Sequence, residues 1–144
     1  MVGALSSRLK TGRKRTMPYT TEIIENGKGI QHIGSGTVTG EELMSSAATV
    51  LKLIQEGLKP EYGLTDLTDV KKFAVSAEEI SRNAALNSGI SRYLPSVKLA
   101  IIAPANDIYG MVRMWLAHID SPGWTSHVFR RKEEAVAWLK QEAP

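Results

Sequence analysis

The stretch Val97-Lys98-Leu99-Ala100-Ile101-Ile102-Ala103-Pro104 decides the fold. Apart from Lys98 it is a continuous apolar run of strand length, closed by a proline. Such a run offers water no polar side, so both of its faces must be covered. Val97–Ala103 is therefore expected as the innermost strand of a parallel sheet with helices on each side.

The flanks agree. Downstream, Asn106 is placed to cap a helix in which Ile108, Met111, Val112, Trp115, Leu116 and Ile119 form a wide apolar face. Ser121-Pro122-Gly123 ends it, Trp124–Phe129 reads as a strand, and residues 132–142 read as a last helix carrying Ala135, Val136, Trp138 and Leu139. Upstream, Ser76-Ala77-Glu78-Glu79 is a capping box, in which a serine hydroxyl and a glutamate three residues on each satisfy an orphan backbone N–H. The helix behind it carries Ile80 and Ala84 and is expected to stop at Gly89. Tyr62–Leu67 reads as a strand. A second capping box, Thr39-Gly40-Glu41-Glu42, opens a helix with Leu43, Ala47, Val50, Leu51, Ile54 and Leu58 on one stripe, stopped by Gly57 and Pro60. Thr20–Glu25 and Ile30–Ser35 flank Asn26-Gly27, a hairpin signal because both residues accept positive φ. Their apolar alternation is weak, which places the hairpin near a sheet edge. The expected architecture is one α/β domain over residues 17–144: a mixed five-stranded sheet with about four helices, in the order ββαβαβαβα.

The net charge of +3 hides an asymmetry. The first sixteen residues hold Arg8, Lys10, Arg13, Lys14 and Arg15 and no acid. Those are five of the 18 Lys and Arg residues, which leaves 13 against 15 Asp and Glu and makes the body slightly acidic. A nucleic-acid binder needs a basic face on its folded part, so nucleic acid is not an expected partner. Residues 1–16 read as a disordered basic extension, with Met17-Pro18 as a second plausible start. The chain has no cysteine, which excludes a disulfide framework, a thiolate metal site and a catalytic thiol and fits a reducing cytoplasm. No apolar run approaches the roughly 18 residues of a membrane span.

The element order, with four local strings, resembles the STAS domain and more closely its SpoIIAA-like branch. The strings are Gly36-Thr37-Val38-Thr39-Gly40-Glu41-Glu42-Leu43, Asp66-Leu67-Thr68-Asp69-Val70, Ile108-Tyr109-Gly110-Met111-Val112-Arg113-Met114, and Phe129 through Glu134-Ala135 to Trp138-Leu139. Together they span roughly residues 20–139. The resemblance implies a cytoplasmic, non-enzymatic regulatory module that binds a protein partner or forms a homodimer. It also implies a phosphorylatable serine at the start of the helix after the Asp-Leu strand, a place that Ser76 occupies. The surrounding residues depart from the antagonist pattern: Val75 stands where an aspartate is common, and Ala77-Glu78-Glu79 follows where a second serine and a glycine are usual. Glu78 and Glu79 would repel a phosphate, and an N-cap role explains Ser76 by itself. The related CRAL-TRIO topology binds apolar ligands.

No cluster commits the chain to a chemistry, and no cofactor or metal is expected. Gly34, Gly36 and Gly40 follow neither the dinucleotide nor the triphosphate-loop spacing and read as strand-end and turn residues. Asp66 and Asp69, with Thr65 and Thr68, sit at an expected strand end where α/β sheets bind ligands, but one pair of acids is short of the ligand count of a hard cation. His32, His118 and His127 have no metal-ligand spacing, and no nucleophile-elbow string is present. Tyr109 and Arg113 are i, i+4 neighbours that read first as a plain exposed pair, and otherwise as flanks of a pocket that meets an anionic head group. Trp124 would cover the sheet edge or mark an oligomer contact.

Three functions compete. A partner-binding module predicts an exposed apolar patch near Ser76 or on a bare sheet edge. A carrier of a small apolar or lipid-like ligand predicts a cavity of about 300–1,000 Å³ under the Asn106–Ile119 helix. An enzyme predicts Asp66, Asp69 or His127 converging in one cleft.

Overall fold

The computed structural model describes residues 17–119, 121 and 123–141; the basic extension, Pro122 and Glu142 lie outside the described residues. The elements are β1 (Tyr19–Ile24), β2 (Gly29–Thr39), α1 (Gly40–Gln55), β3 (Tyr62–Ala74), α2 (Ala77–Ile90), β4 (Val97–Ile102), α3 (Asn106–His118), β5 (Trp124–Phe129) and α4 (Lys132–Leu139). They form one five-stranded sheet in the order β1-β2-β3-β4-β5. β1 runs antiparallel to β2 at the edge, and the other three pairings are parallel. The mixed sheet and its element order are those read from the sequence.

β4 is internal, between β3 and β5, and both of its faces are covered. Ile101 joins Ile108 and Val112 of α3 on one face. Ala100 and Ile102 join Leu64 and Ala135 of α4 on the other. The middle strand is nevertheless β3, not β4 as expected. Two continuous features of β3 hid this. It runs through thirteen residues rather than six, and its pairing with β2 shifts register between Ile33 and Ser35 and again between Gly36 and Thr37. Each shift inserts one extra β3 residue, which is a β-bulge. The bulges bring Leu67, Val70 and Phe73 to one core at a spacing of three. Period-2 alternation therefore vanishes where the strand continues.

β2 is likewise longer than expected. Gly34 lies inside it, as read, and the strand continues through Gly36 to Thr39. A side chain at Gly34 would meet the Val70 methyl at 2.8 Å, so glycine is what lets the two strands close up there. The hairpin is wider than a two-residue turn. Glu25, Asn26 and Gly27 all take positive φ (49°, 58° and 93°), and Lys28 N–H donates to the Glu25 carbonyl. The loop is tied to β3: the Tyr62 hydroxyl donates to the Glu25 carboxylate, and the Glu61 and Tyr62 N–H groups donate to the Lys28 carbonyl.

Helices α1, α2 and α3 lie on one face of the sheet, with α2 packed between the other two. On the opposite face α4 packs on β3, β4 and β5. α1 ends in a Schellman motif: Leu58 N–H reaches the Leu53 carbonyl and Gly57, at φ +115°, donates to Ile54. α2 passes Gly89 and ends at Ile90, which is 1% exposed; burying that side chain outweighs the glycine stop signal. Asn106 does not cap α3. Ala105 is the N-cap without a side-chain bond, and the Asn106 amide oxygen accepts from Arg130 instead.

Candidate functional site

Both capping boxes form, and they form side by side. Thr39 Oγ1 accepts from Glu42 N–H at 3.3 Å while Thr39 N–H donates to the Glu42 carboxylate at 2.9 Å. Ser76 Oγ accepts from Glu79 N–H at 3.1 Å, and Ser76 N–H donates to the Glu79 carboxylate at 2.9 Å. A side chain at Gly40 would collide with the Glu79 carboxylate. The N-termini of α1 and α2 therefore meet where β2 and β3 end, which is the carboxyl end of the parallel strands and the usual ligand end of an α/β sheet. Hydrogen bonds from the Ser76 backbone, then from its side chain, hold the Glu79 carboxyl below the usual carboxylate range. Ser76, Glu78, Arg82, Lys71 and Lys72 are exposed around this point. The surface there carries these charges beside the small exposed side chains of Ala74 and Ala77. The large exposed apolar side chains are Met17, Tyr93 and Met114.

The remaining sequence candidates are placed apart. The Asp66 carboxylate accepts from the N–H and hydroxyl of Thr68, so it braces the first bulge of β3. Asp69 is exposed one bulge further on, and because β3 continues to Ala74 neither acid stands at a strand end. His127 lies on β5, stacked on Trp138 of α4. Asp66, Asp69 and His127 do not share any of the described cavities, and no group of three metal-ligating side chains exists among the described residues. Tyr109 packs beneath the Arg130 guanidinium at 3.9 Å, while Arg113 is exposed. Trp124 is the first residue of β5; its indole N–H donates to the Leu94 carbonyl at 2.6 Å, and its ring packs into the core.

The sequence reading gave His32 no role. It lies on β2, half-buried against Ser46 of α1 and stacked on Tyr19. His32 Nδ1, Thr21 Oγ1 and Ser46 Oγ form a closed triangle of 3.0, 2.8 and 3.1 Å. Desolvation pushes the imidazole down to about 4, so it is neutral at pH 7. Burial likewise raises the Tyr19 phenol, against a smaller opposing hydrogen bond from Thr65. A serine bonded to a histidine has the outline of a nucleophile and its base. Here the imidazole is weakly basic, its Nδ1 is held by the Thr21 and Ser46 hydroxyls rather than by a carboxylate, and Ser46 lies within α1.

Tyr19, His32 and Ser46 help to wall a cavity of about 110 Å³ between the sheet and α1–α3. A second cavity of about 80 Å³ lies against α3 and shares Tyr19, Leu43, Thr65, Asn83, Ile101 and Trp115 with the first. Asn83 is fixed between them, donating to the Leu43 carbonyl and accepting from the Trp115 indole at 2.7 Å. The space beneath α3 is smaller than the cavity of about 300–1,000 Å³ expected there.

No protein-family model matches the chain, and no curated protein matches it. Solved structures do. An uncharacterised protein of the DUF3478 family with a SpoIIAA-like fold, from Shewanella loihica PV-4, superposes with a TM-score of 0.55 at 19% identity, over 84% of this chain and 91% of that one. The unphosphorylated form of the anti-sigma factor antagonist SpoIIAA gives 0.54 at 12% identity, over 86% and 99%. The phosphorylated form of the Bacillus cell fate determinant SpoIIAA gives 0.52 at 14% identity, over 85% and 99%. The chain therefore has the SpoIIAA-like α/β fold. No described helix is long and apolar enough to cross a membrane.

Proposed function

We propose that the chain is a non-enzymatic regulatory module that binds a protein partner, or a second copy of itself, through the surface where α1 and α2 begin. The observation that carries this reading is the contact between the two helix starts. Ser76 holds Glu79, and Glu79 lies against Gly40. A change at exposed Ser76 is thereby felt at α1.

Phosphorylation of Ser76 is one such change. It would take Oγ out of the capping box and set a dianion beside the Glu79 carboxylate, which the repulsion would drive off Gly40. The likeness in fold to an anti-sigma factor antagonist known in phosphorylated and unphosphorylated forms supports this reading. The exposed charges of Lys71, Lys72, Glu78 and Arg82 fit a polar, reversible contact better than a permanent apolar one.

The test is quantitative affinity purification from the native host with wild-type protein and a Lys71→Glu, Lys72→Glu double variant. A partner retained by the wild type and lost by the variant supports the reading. An identical set of retained proteins contradicts it.

A further inference from the structure

We propose that the paired cavities between the sheet and the α1–α3 layer are a binding site for an uncharged molecule about the size of one aromatic ring that carries a hydrogen-bonding group. The site is separate from the partner surface, and neither reading depends on the other.

The space exists because the sequence places small residues where large apolar ones would close it. Gly63 and Thr65 face it from β3, and Ser46 and Ala47 face it from α1. A void of about 110 Å³ adjoining one of about 80 Å³ has room for a single ring and not for an acyl chain. No Asp, Glu, Lys or Arg lines either cavity, so a charged ligand would enter with nothing to offset its desolvation.

The walls nevertheless carry polar groups. The His32–Thr21–Ser46 triangle engages Nδ1 of the ring and leaves Nε2 outside it. The Asn87 amide nitrogen is committed to Asn83, and its amide oxygen takes no part in those bonds. Leu99, Ile101 and Trp115 supply apolar and aromatic surface for the faces of a ring. An apolar void of similar size takes up benzene; a void with these walls favours a ring that brings its own polar group.

Tyr19 and Ser46 wall both the inner cavity and a groove of about 390 Å³ between β1 and α1. The ligand would pass between those two side chains.

The experiment is titration of the isotope-labelled full chain with phenol, benzene and benzoate, followed by amide chemical shifts. Phenol is expected to give saturable shifts at Ser46, Gly63 and Thr65, benzene weaker ones, and benzoate none at those positions. Ala47→Leu fills the cavity and is expected to weaken phenol by at least about tenfold. Should that variant fail to fold, Ser46→Val keeps the volume and removes a polar group; it is expected to narrow the preference for phenol over benzene. No saturable shift with phenol or benzene, or benzoate binding as tightly as phenol, overturns the proposal. So does a folded Ala47→Leu that binds phenol as well as the wild type.

Discussion

His32 is the residue whose environment is easiest to test in solution. Its imidazole is held neutral, with its pKa lowered from 6.5 to about 4 by burial. The unfolded chain then binds a proton that the folded chain refuses. Stability changes most steeply where the two states differ most in bound protons, so this contribution falls as pH drops from about 6.5 to about 4 and levels off below that. Between pH 7 and pH 5 the loss is about 2 kcal/mol. Urea unfolding of the wild type and His32→Leu across that range is expected to show a slope in the first and a flatter line in the second. Parallel lines would remove the buried-imidazole account. Glu79 acts in a lower window. Its depressed carboxyl contributes stability above its unfolded value, lost as pH falls through the lower folded one.

Ser76 is the second residue-scale test. As an N-cap with a formed capping box, Ser76→Ala is expected to cost about 1 kcal/mol in urea unfolding. No change would mean the box is not made in solution. Gly123 is less tolerant: a side chain there would stand 1.7 Å from the Pro95 carbonyl oxygen, so Gly123→Ala is expected to displace the start of β5.

Among the elements, β3 shows where sequence legibility ends. The strands with clean patterns were readable: Val97–Ile102 from its apolar run, and Trp124–Phe129 within its turn signals. The starts of α1 and α2 were readable because Thr39–Glu42 and Ser76–Glu79 are local devices. β3 was cut short at Leu67 because two bulges convert its core spacing from two to three. Its length depends on a partner strand, and no residue of β3 records that partner. The same holds for the His32 cluster, which joins β1, β2 and α1 and is invisible until they are packed together. Gly34→Ala tests the bulged pairing. The added methyl would press on Val70, Leu67 and Val38, and a loss of about 2 kcal/mol is expected in thermal or urea unfolding. A neutral result would mean β2 and β3 are not so close.

At the scale of the molecule, the sheet separates two regions. α4 closes one face with Ala135 on Leu64, Ala100 and Ile102. The three-helix face holds the cavities, and its carboxyl end presents the charged surface around Ser76. That division makes the partner reading a statement about location. Cross-linking mass spectrometry of the chain in its native host tests it most directly, because lysines are exposed at several separate places. Intermolecular cross-links from Lys71 and Lys72 are the predicted result. Cross-links confined to Lys132 and Lys140 on the α4 side, or to Lys52 and Lys59 near the end of α1, would contradict it.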